Sequence, residues 1–290
     1  MDSQTRILQR LNSITNLPTL PLVMQKISAA VRDPKTDARK LAVIMEDDPA
    51  VMARVLKIVN SAFYAGAVPV ASVQQAVARM GLRAINNIAL STAIFSAFGK
   101  SDDDMFDRRE FWRHSISVGI GAVVIAERVA DRLTRTYPRD VLHLAGLLHD
   151  IGKIVMDQYF HDEFLAALAK ARADALPLME AEEQVFQSDH ARVGAWLGAK
   201  WNLADDLNQV VRWHHNPHSA GDNRCEINTL IHAANYICNQ RKIGDGGDTA
   251  APVVDQEAQE TLGLTKKDRV AIADAIAKES EKSEILLSLA

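Results

Sequence analysis

Helical spacing of apolar residues is the feature that most constrains the fold of this 290-residue chain. Asp48 followed by Pro49 predicts a helix start, because aspartate caps free amide groups and proline fits the first helical position. Ser72 is a similar cap for a helix that ends at Gly81. No segment alternates apolar and polar residues as a half-buried strand does. The sequence "GDGG" at 244–247 has no strand-like flanks and is interpreted as a linker. We therefore predict an all-α fold.

The composition is typical of a globular protein. Hydrophobic residues make up 48% of the chain and charged residues 24%, which is enough for a sizeable core. The net charge is −4 and the basic residues are scattered, so a nucleic-acid partner is not expected. No apolar run reaches the roughly 20 residues that span a membrane, and the first residues lack the pattern of a signal peptide. Because there are only two cysteines, we expect a reducing, cytoplasmic location.

Two breaks in composition divide the chain. An acidic, polar stretch at 99–110 follows a long apolar segment, and a glycine-rich polar stretch occupies 239–252. The aspartates at 102–104 are interpreted as a solvated loop. After the second break, Thr265 and Asp268 have the spacing of a capping box. The predicted organisation is one domain (15–242) made of two helical halves (15–105 and 106–242), followed by a linker and a C-terminal helical extension (243–290).

The histidines are unevenly distributed. All nine lie between His114 and His232, which indicates a site in the middle of the chain. Four of them share a helical face with apolar residues and are predicted to point into the core: His114, His149, His190 and His214. Four others fit no such face and are interpreted as surface or loop residues: His143, His161, His218 and His232.

Two interpretations of the buried histidines remain open. A single histidine on an apolar face is usually a core residue bonded to a backbone carbonyl. Four of them together with the adjacent His149-Asp150 pair favour a metal site, because nitrogen and oxygen donors suit divalent Zn, Fe, Ni or Mn.

Several motifs resemble a known family. The chain is similar to the HD superfamily of metal-dependent phosphohydrolases, and most closely to its HDOD branch, the HD-related output domain of bacterial signalling proteins. The HD-like motifs are "WRHS" (112–115), "HDIGK" (149–153), "DHARVG" (189–194) and "RWHHNP" (212–217). The HDOD-like motifs are "LPTLP" (17–21), "MEDDPAVMARVLKIVNSAFYAG" (45–66) and "VQQAVARMGLRAINNIAL" (73–90). The resemblance covers about 17–239 and implies a multi-helix bundle in two helical halves.

The resemblance also implies roles for individual residues. The metal ligands shared with HD proteins would be His114, His149 and Asp150. Additional ligands, as in the HD-GYP phosphodiesterase branch, would be His190, His214 and His215. In an active enzyme Lys153 would contact substrate phosphate, and Asp150 and Lys153 would be the catalytic residues. The last expected ligand is an aspartate, but Asn235 stands at its position.

Two departures from the pattern of HD enzymes bear on function. Asn235 is a weaker ligand than a carboxylate, and no GYP-like segment follows "HHNP". Two hypotheses follow. The first is a non-catalytic signalling module that acts through a protein partner or a nucleotide or other phosphoester ligand. The second is a metal-dependent phosphohydrolase acting on such a phosphoester. Asn235 favours the first, and the surviving histidines favour the second.

Overall fold

The computed structural model confirms the all-α prediction. It describes residues 3–14, 16–17, 19–61, 64, 66, 68–98, 105–221, 225–250, 256–281 and 287. These residues form helices, turns and loops, and no β-strand occurs among them. The predicted acidic loop at 102–104 lies outside the described residues. The chain divides into two compact units, which we call the large unit (Met1–Leu17 and Ser101–Lys278) and the small unit (Pro18–Lys100 and Glu279–Ala290).

The described residues of the small unit form five helices, three of which begin at a side-chain cap. As predicted, Asp48 caps the helix that begins at Pro49, accepting hydrogen bonds from the amides of Ala50 and Val51 at 3.1 and 3.0 Å. Ser72 also caps a helix as predicted, and that helix ends before Gly81, whose φ is 85°. The helices are α2 (Leu22–Arg32), α3 (Ala38–Glu46), α4 (Pro49–Val59), α5 (Val73–Met80) and α6 (Leu82–Ala97).

The large unit contains the histidine-rich part of the chain. Its N-terminal helix is α1 (Ser3–Asn12). The central helices are α7 (Arg108–Arg128), α8 (Arg139–Leu148), α9 (Ile151–Tyr159), α10 (His161–Asp174), α11 (Leu178–Phe186), α12 (His190–Lys200) and α13 (Asp205–Trp213). A 3-10 turn (Pro217–Ala220) and three more helices follow, α14 (Cys225–Arg241), α15 (Gln256–Leu262) and α16 (Lys266–Glu281). Thr265 and Asp268 form the predicted capping box of α16, each side chain accepting from the other's backbone amide.

Two close helix crossings organise the centre of the large unit. Helix α8 packs on α7, and a Cβ added to Gly146 would lie 2.2 Å from the backbone nitrogen of Gly119. Helix α12 packs on α9, and a Cβ added to Gly152 would lie 1.9 Å from the carbonyl oxygen of His190. Side chains at these points would hold the helices apart. The glycines therefore let the backbones touch, and the second crossing places His190 beside the start of α9.

Candidate metal centre

The predicted metal-binding residues of the large unit come together. Two groups of ligand atoms, each lying within 4.8 Å of one another, overlap at Asp150. One group contains Asp150, His190, His214 and His215, and the other contains His114, His149 and Asp150. Of these six residues, His215 alone keeps partial exposure, and the other five are fully buried. The structure thus joins histidines from four separate parts of the sequence around one carboxylate.

Helix ends supply most of these side chains. His149 follows the last residue of α8, and Asp150 directly precedes α9. His190 is the first residue of α12, and His214 follows the last residue of α13. His114 differs, because it lies within the long helix α7. Since several helices end at one place, side chains distant in sequence can converge there.

Backbone carbonyls orient two of the imidazoles. The Nδ1–H of His149 donates to the carbonyl oxygen of Gly146 at 2.6 Å, and the Nδ1–H of His214 donates to that of Val211 at 3.0 Å. In each ring this leaves Nε2 with a free electron pair directed at the cluster. Such outer hydrogen bonds are what fix metal-ligating histidines in proteins.

A buried carboxylate orients a third imidazole. Glu182 on α11 accepts a hydrogen bond from Nδ1 of His190 at 2.6 Å and another from its backbone amide at 2.9 Å. Glu182 is fully buried. A carboxylate behind a histidine both holds the ring and increases its basicity as a ligand. His190 is therefore the most firmly positioned imidazole of the cluster.

The centre of the cluster is rich in acceptors. Oδ1 of Asp150 lies 3.2 Å from Nε2 of both His190 and His214, and Oδ2 lies 3.3 Å from Nε2 of His149. Oδ1 of Asp150 and Nε2 of His149 and His214 are buried without a hydrogen-bond partner. Buried polar atoms rarely remain unpaired in native proteins. Converging nitrogen and oxygen electron pairs fit a divalent transition metal.

The electrostatics agree with a cation site. Burial lowers the pKa of both His114 and His214 to about 4, so both are neutral near pH 7 and available as ligands. Burial opposes ionisation of Asp150, but His149 and Lys153 hold its pKa well below the usual value. Burial likewise opposes protonation of His190, yet Glu182 raises its pKa to about 10. A proton on His190 thus balances charge that a metal ion would otherwise balance.

Lys153 has a buried position beside this cluster. Its ammonium group donates to Oδ2 of Asp150 at 2.8 Å, to the carbonyl oxygen of Gly246 at 2.9 Å and to Oδ2 of Asp248 at 2.9 Å. Burial would lower the pKa of Lys153, but the two carboxylates raise it above its usual value. Gly246 and Asp248 belong to the predicted linker, and we call residues 244–248 the glycine loop. The lysine is therefore covered by a later part of the same chain.

The HDOD domain family matches residues 17–217 of the sequence. The chain belongs to this family. An uncharacterised protein of Treponema pallidum (strain Nichols) is 27% identical over 224 residues, which cover 76% of this chain and 42% of that relative. This chain thus spans less than half of the relative's length.

Solved structures share the fold of this HDOD chain. An HDOD domain protein of unknown function from Geobacter sulfurreducens is 24% identical with a TM-score of 0.73, over 99% of this chain and 98% of that one. A proposed phosphohydrolase of Shewanella amazonensis SB2B is 23% identical with a TM-score of 0.73, over 98% and 97%. A proposed signal transduction protein of Marinobacter aquaeolei VT8 is 21% identical with a TM-score of 0.75, over 99% and 65%. At these identities the likeness establishes the fold.

Among the described residues of the HDOD chain, no helix has the length and apolar character needed to cross a membrane.

Asn235 of this HDOD chain faces the cluster. Its Oδ1 accepts hydrogen bonds from Nε2 of His114 at 3.0 Å and from Nδ2 of Asn239 at 2.9 Å. The ring nitrogen of His114 that points toward Asn235 is therefore engaged by an amide. Nδ1 of His114 is buried without a hydrogen-bond partner. The His114 side of the cluster is consequently a poorer cation site than the side formed by His190, His214 and Asp150.

Two of the histidines outside the cluster differ from expectation. His143 and His232 were predicted at the surface or in loops, and this is wrong, because they lie within α8 and α14 at 7% and 6% exposure. His143 packs at the glycine crossing of α7 and α8, and Nδ1 of His232 donates to the carbonyl oxygen of His214 at 2.8 Å. Their apolar helical faces were overlooked. His161, at the start of α10, is exposed, and His218, in the 3-10 turn, is partly exposed.

Sequence reasoning missed three contributors to the HDOD site. Glu182 lies eight residues before His190, with a helix end between them, so no helical spacing signals the pair. Gly246 and Asp248 were interpreted as linker residues. The run of glycines was a usable signal, because glycine is favoured where backbone approaches a site closely.

Proposed function

We propose that this chain is a metal-binding signalling module of the HDOD family, which acts by binding a protein partner or a small ligand rather than by turnover. The observation that carries this proposal is the contrast between two neighbouring features. The histidines around Asp150 are oriented for a metal ion, whereas Lys153 is covered by the glycine loop. While the loop covers Lys153, no phosphate position is open there, which suits a module that responds to a ligand better than it suits repeated turnover.

The residues best placed to hold an ion are Asp150, His190, His214 and His215. Three of the nearby side chains are carboxylates, Asp150, Glu182 and Asp248, and Lys153 offsets one of their charges. The remaining negative charge matches a divalent cation when the histidines are neutral. Imidazole and carboxylate donors suit Fe, Mn, Ni or Zn.

The second candidate function is a metal-dependent phosphohydrolase acting on a nucleotide or other phosphoester. It is favoured by the partial exposure of His215, which leaves one side of the cluster reachable from solvent. A bound divalent ion would supply an activated water and polarise a phosphoryl oxygen. For this function the glycine loop would have to move so that Lys153 could reach the phosphate.

The metal content of the purified chain tests the proposal. We expect about one transition-metal ion per chain after purification without chelators, as for a site with several imidazole ligands. His214→Ala should lose this ion, whereas the control His218→Ala, outside the cluster, should keep it. Less than about a tenth of an ion per chain after reconstitution would overturn the metal-binding role.

Phosphate release separates the two functions. Wild-type protein loaded with Fe, Mn, Ni or Zn should release no phosphate from nucleotides or cyclic dinucleotides above the background of His149→Ala. Metal-dependent release that is lost in His149→Ala would instead establish the phosphohydrolase.

A further inference from the structure

The ammonium group of Lys153 has no donor left for a ligand. A lysine ammonium offers three N–H donors, and here all three are used. They reach Oδ2 of Asp150, the carbonyl oxygen of Gly246 and Oδ2 of Asp248 at 2.8, 2.9 and 2.9 Å. Two of these three acceptors belong to the glycine loop. An external ligand can therefore bind Lys153 only by replacing acceptors that the loop now supplies.

The glycine loop is shaped to lie directly on the site. A Cβ added to Gly244, whose φ is 69°, would lie 2.3 Å from the backbone nitrogen of His114. A Cβ added to Gly246 would lie 3.2 Å from Nε2 of His114 and 3.5 Å from Oδ2 of Asp150. At Gly244 a side chain would collide with the backbone of α7, and at Gly246 it would crowd the His114 ring. The contact is thus specified by the sequence of the loop.

The same loop combines irregular backbone with buried glycines, Gly246 and Gly247, and a more exposed acidic edge. It forms no helix or strand, and Asp245 is exposed. The backbone amide of Asp245 donates to the carbonyl oxygen of Glu110 at 3.1 Å. The side chain of Asp248 keeps 10% exposure, whereas that of Lys153 has none. Segments without regular structure and with exposed neighbours open at low free energy. Asp248 therefore stands between Lys153 and solvent, in a segment that no helix or strand holds in place.

We propose that the glycine loop is autoinhibitory and that Asp248 is an internal anion at Lys153, which a phosphate-type oxyanion displaces. The ligand must replace both a carboxylate and a carbonyl oxygen, so it needs negative charge and several oxygen acceptors. A tetrahedral oxyanion or a phosphoester provides both, and lysine binds such groups as a point charge. A phosphate contact at Lys153 is what the resemblance to HD proteins implies, and the proposal deepens the function by adding that Asp248 and the glycine loop control that position. The regulatory meaning of this site rests on the proposed function, whereas anion binding at Lys153 itself requires no metal.

The test measures binding of inorganic phosphate to chelator-treated protein by calorimetry. Asp248→Asn removes the internal anion and should bind phosphate at least about tenfold more tightly than wild type, as expected for loss of one charged hydrogen bond that competes with the ligand. The matched control is Asp245→Asn, which makes the same charge change in the same loop. The Asp245 carboxylate accepts from the amide of Gly247 at 2.8 Å, a bond that asparagine can keep. The control should bind phosphate as wild type does, and Lys153→Met should lose binding.

A second measurement uses wild-type protein alone and remains decisive if Asp248→Asn does not fold. Phosphate should accelerate hydrogen exchange of the loop amides, including that of Asp245, because displaced loop residues become exposed to solvent. Equal phosphate affinity of Asp248→Asn and wild type, or unchanged loop exchange when phosphate binds, would overturn the proposal. Because the protein carries no metal in these measurements, failure of the anion site is distinguishable from failure of the metal site.

Discussion

Glu182 holds His190 through two hydrogen bonds, one to the backbone amide at 2.9 Å and one to Nδ1 at 2.6 Å. This carboxylate is the main reason that the pKa of His190 is raised to about 10 in spite of burial. Nε2 of His190 lies 2.8 Å from Nε2 of His215, whose pKa burial and neighbouring histidines hold well below its usual value. A protonated His190 can therefore donate to a neutral His215. In metal-free protein, a proton takes the place of a cation.

Metal binding should release about one proton per ion near pH 8, because His190 must become neutral to act as a ligand. At pH values below the pKa of His190, which is about 10, the metal-free protein carries this proton and the metal complex does not. The apparent affinity for the metal should thus rise as pH increases from 8 toward 10. Calorimetry in buffers of different ionisation enthalpy measures the number of protons released.

The variant Glu182→Gln should reduce the number of protons released on metal binding, since it removes the charge that raises the pKa of His190. The neighbouring variant Glu183→Gln is the control, because Glu183 pairs with Arg192 at 2.7 Å and its side chain is 51% exposed. Metal binding whose heat does not depend on the buffer would show that His190 is neutral without metal.

Several helix starts and most histidines of the candidate site could be predicted from the sequence, for reasons that differ between residues. Asp48 and Ser72 act locally, so their helix starts could be predicted from capping chemistry alone. His114, His149, His190 and His214 were recognised because each shares a face with apolar residues. Their shared centre was favoured by the clustering of histidines with the adjacent His149-Asp150 pair and was also implied by the resemblance to HD proteins. Helical spacing determines which side of a helix is buried and not which helices meet.

Other contacts depend on tertiary structure that no short pattern encodes. Glu182 reaches His190 across the end of α11, and Asp248 reaches Lys153 from 95 positions further along the chain. The polar, glycine-rich composition around Asp248 is also that of ordinary linkers. Only the packed structure distinguishes a linker from a loop that lies on a site.

Asn235→Asp should strengthen cation binding at the His114 side of the cluster. Asn235 Oδ1 already lies 3.0 Å from Nε2 of His114, and the change adds a negative charge at a position with 4% exposure. We expect affinity for a second ion to rise at least about tenfold, because carboxylates are better ligands than amides for divalent cations.

Metal titration followed by elemental analysis gives the stoichiometry. The control is Gln240→Glu, which adds the same charge at an exposed position of α14. An unchanged number of bound ions in Asn235→Asp would mean that His114 does not take part in metal binding.

His143 should make the metal-free fold sensitive to acid. Burial lowers its pKa to about 3, whereas the value in an unfolded chain is about 6.5. Below pH 6.5 the unfolded chain therefore binds a proton that the folded chain excludes. The free energy of unfolding falls as pH decreases from 6.5 toward 3, by about 1.4 kcal/mol per pH unit for this group.

Urea unfolding between pH 7 and pH 5 in the presence of chelator measures this effect. His143→Gln should reduce the pH dependence by about one proton, while the other buried histidines continue to contribute. The same slope in the variant and in wild type would contradict burial of a neutral His143.

Gly152→Ala should disrupt both the fold and the site. The added methyl group would lie 1.9 Å from the carbonyl oxygen of His190 and 2.7 Å from the backbone nitrogen of Gly194, and neither backbone can move without separating α9 from α12. We expect a loss of about 2–3 kcal/mol in the free energy of unfolding, the usual cost of overpacking a core. Metal affinity should fall as well, since Asp150 and His190 lie at the starts of the two helices that are forced apart.

Gly66→Ala is the control, because its methyl group would lie 3.4 Å from the flexible side chain of Arg79 and should change stability by less than about 1 kcal/mol. A stable Gly152→Ala protein with unaltered metal affinity would show that this crossing does not position the cluster.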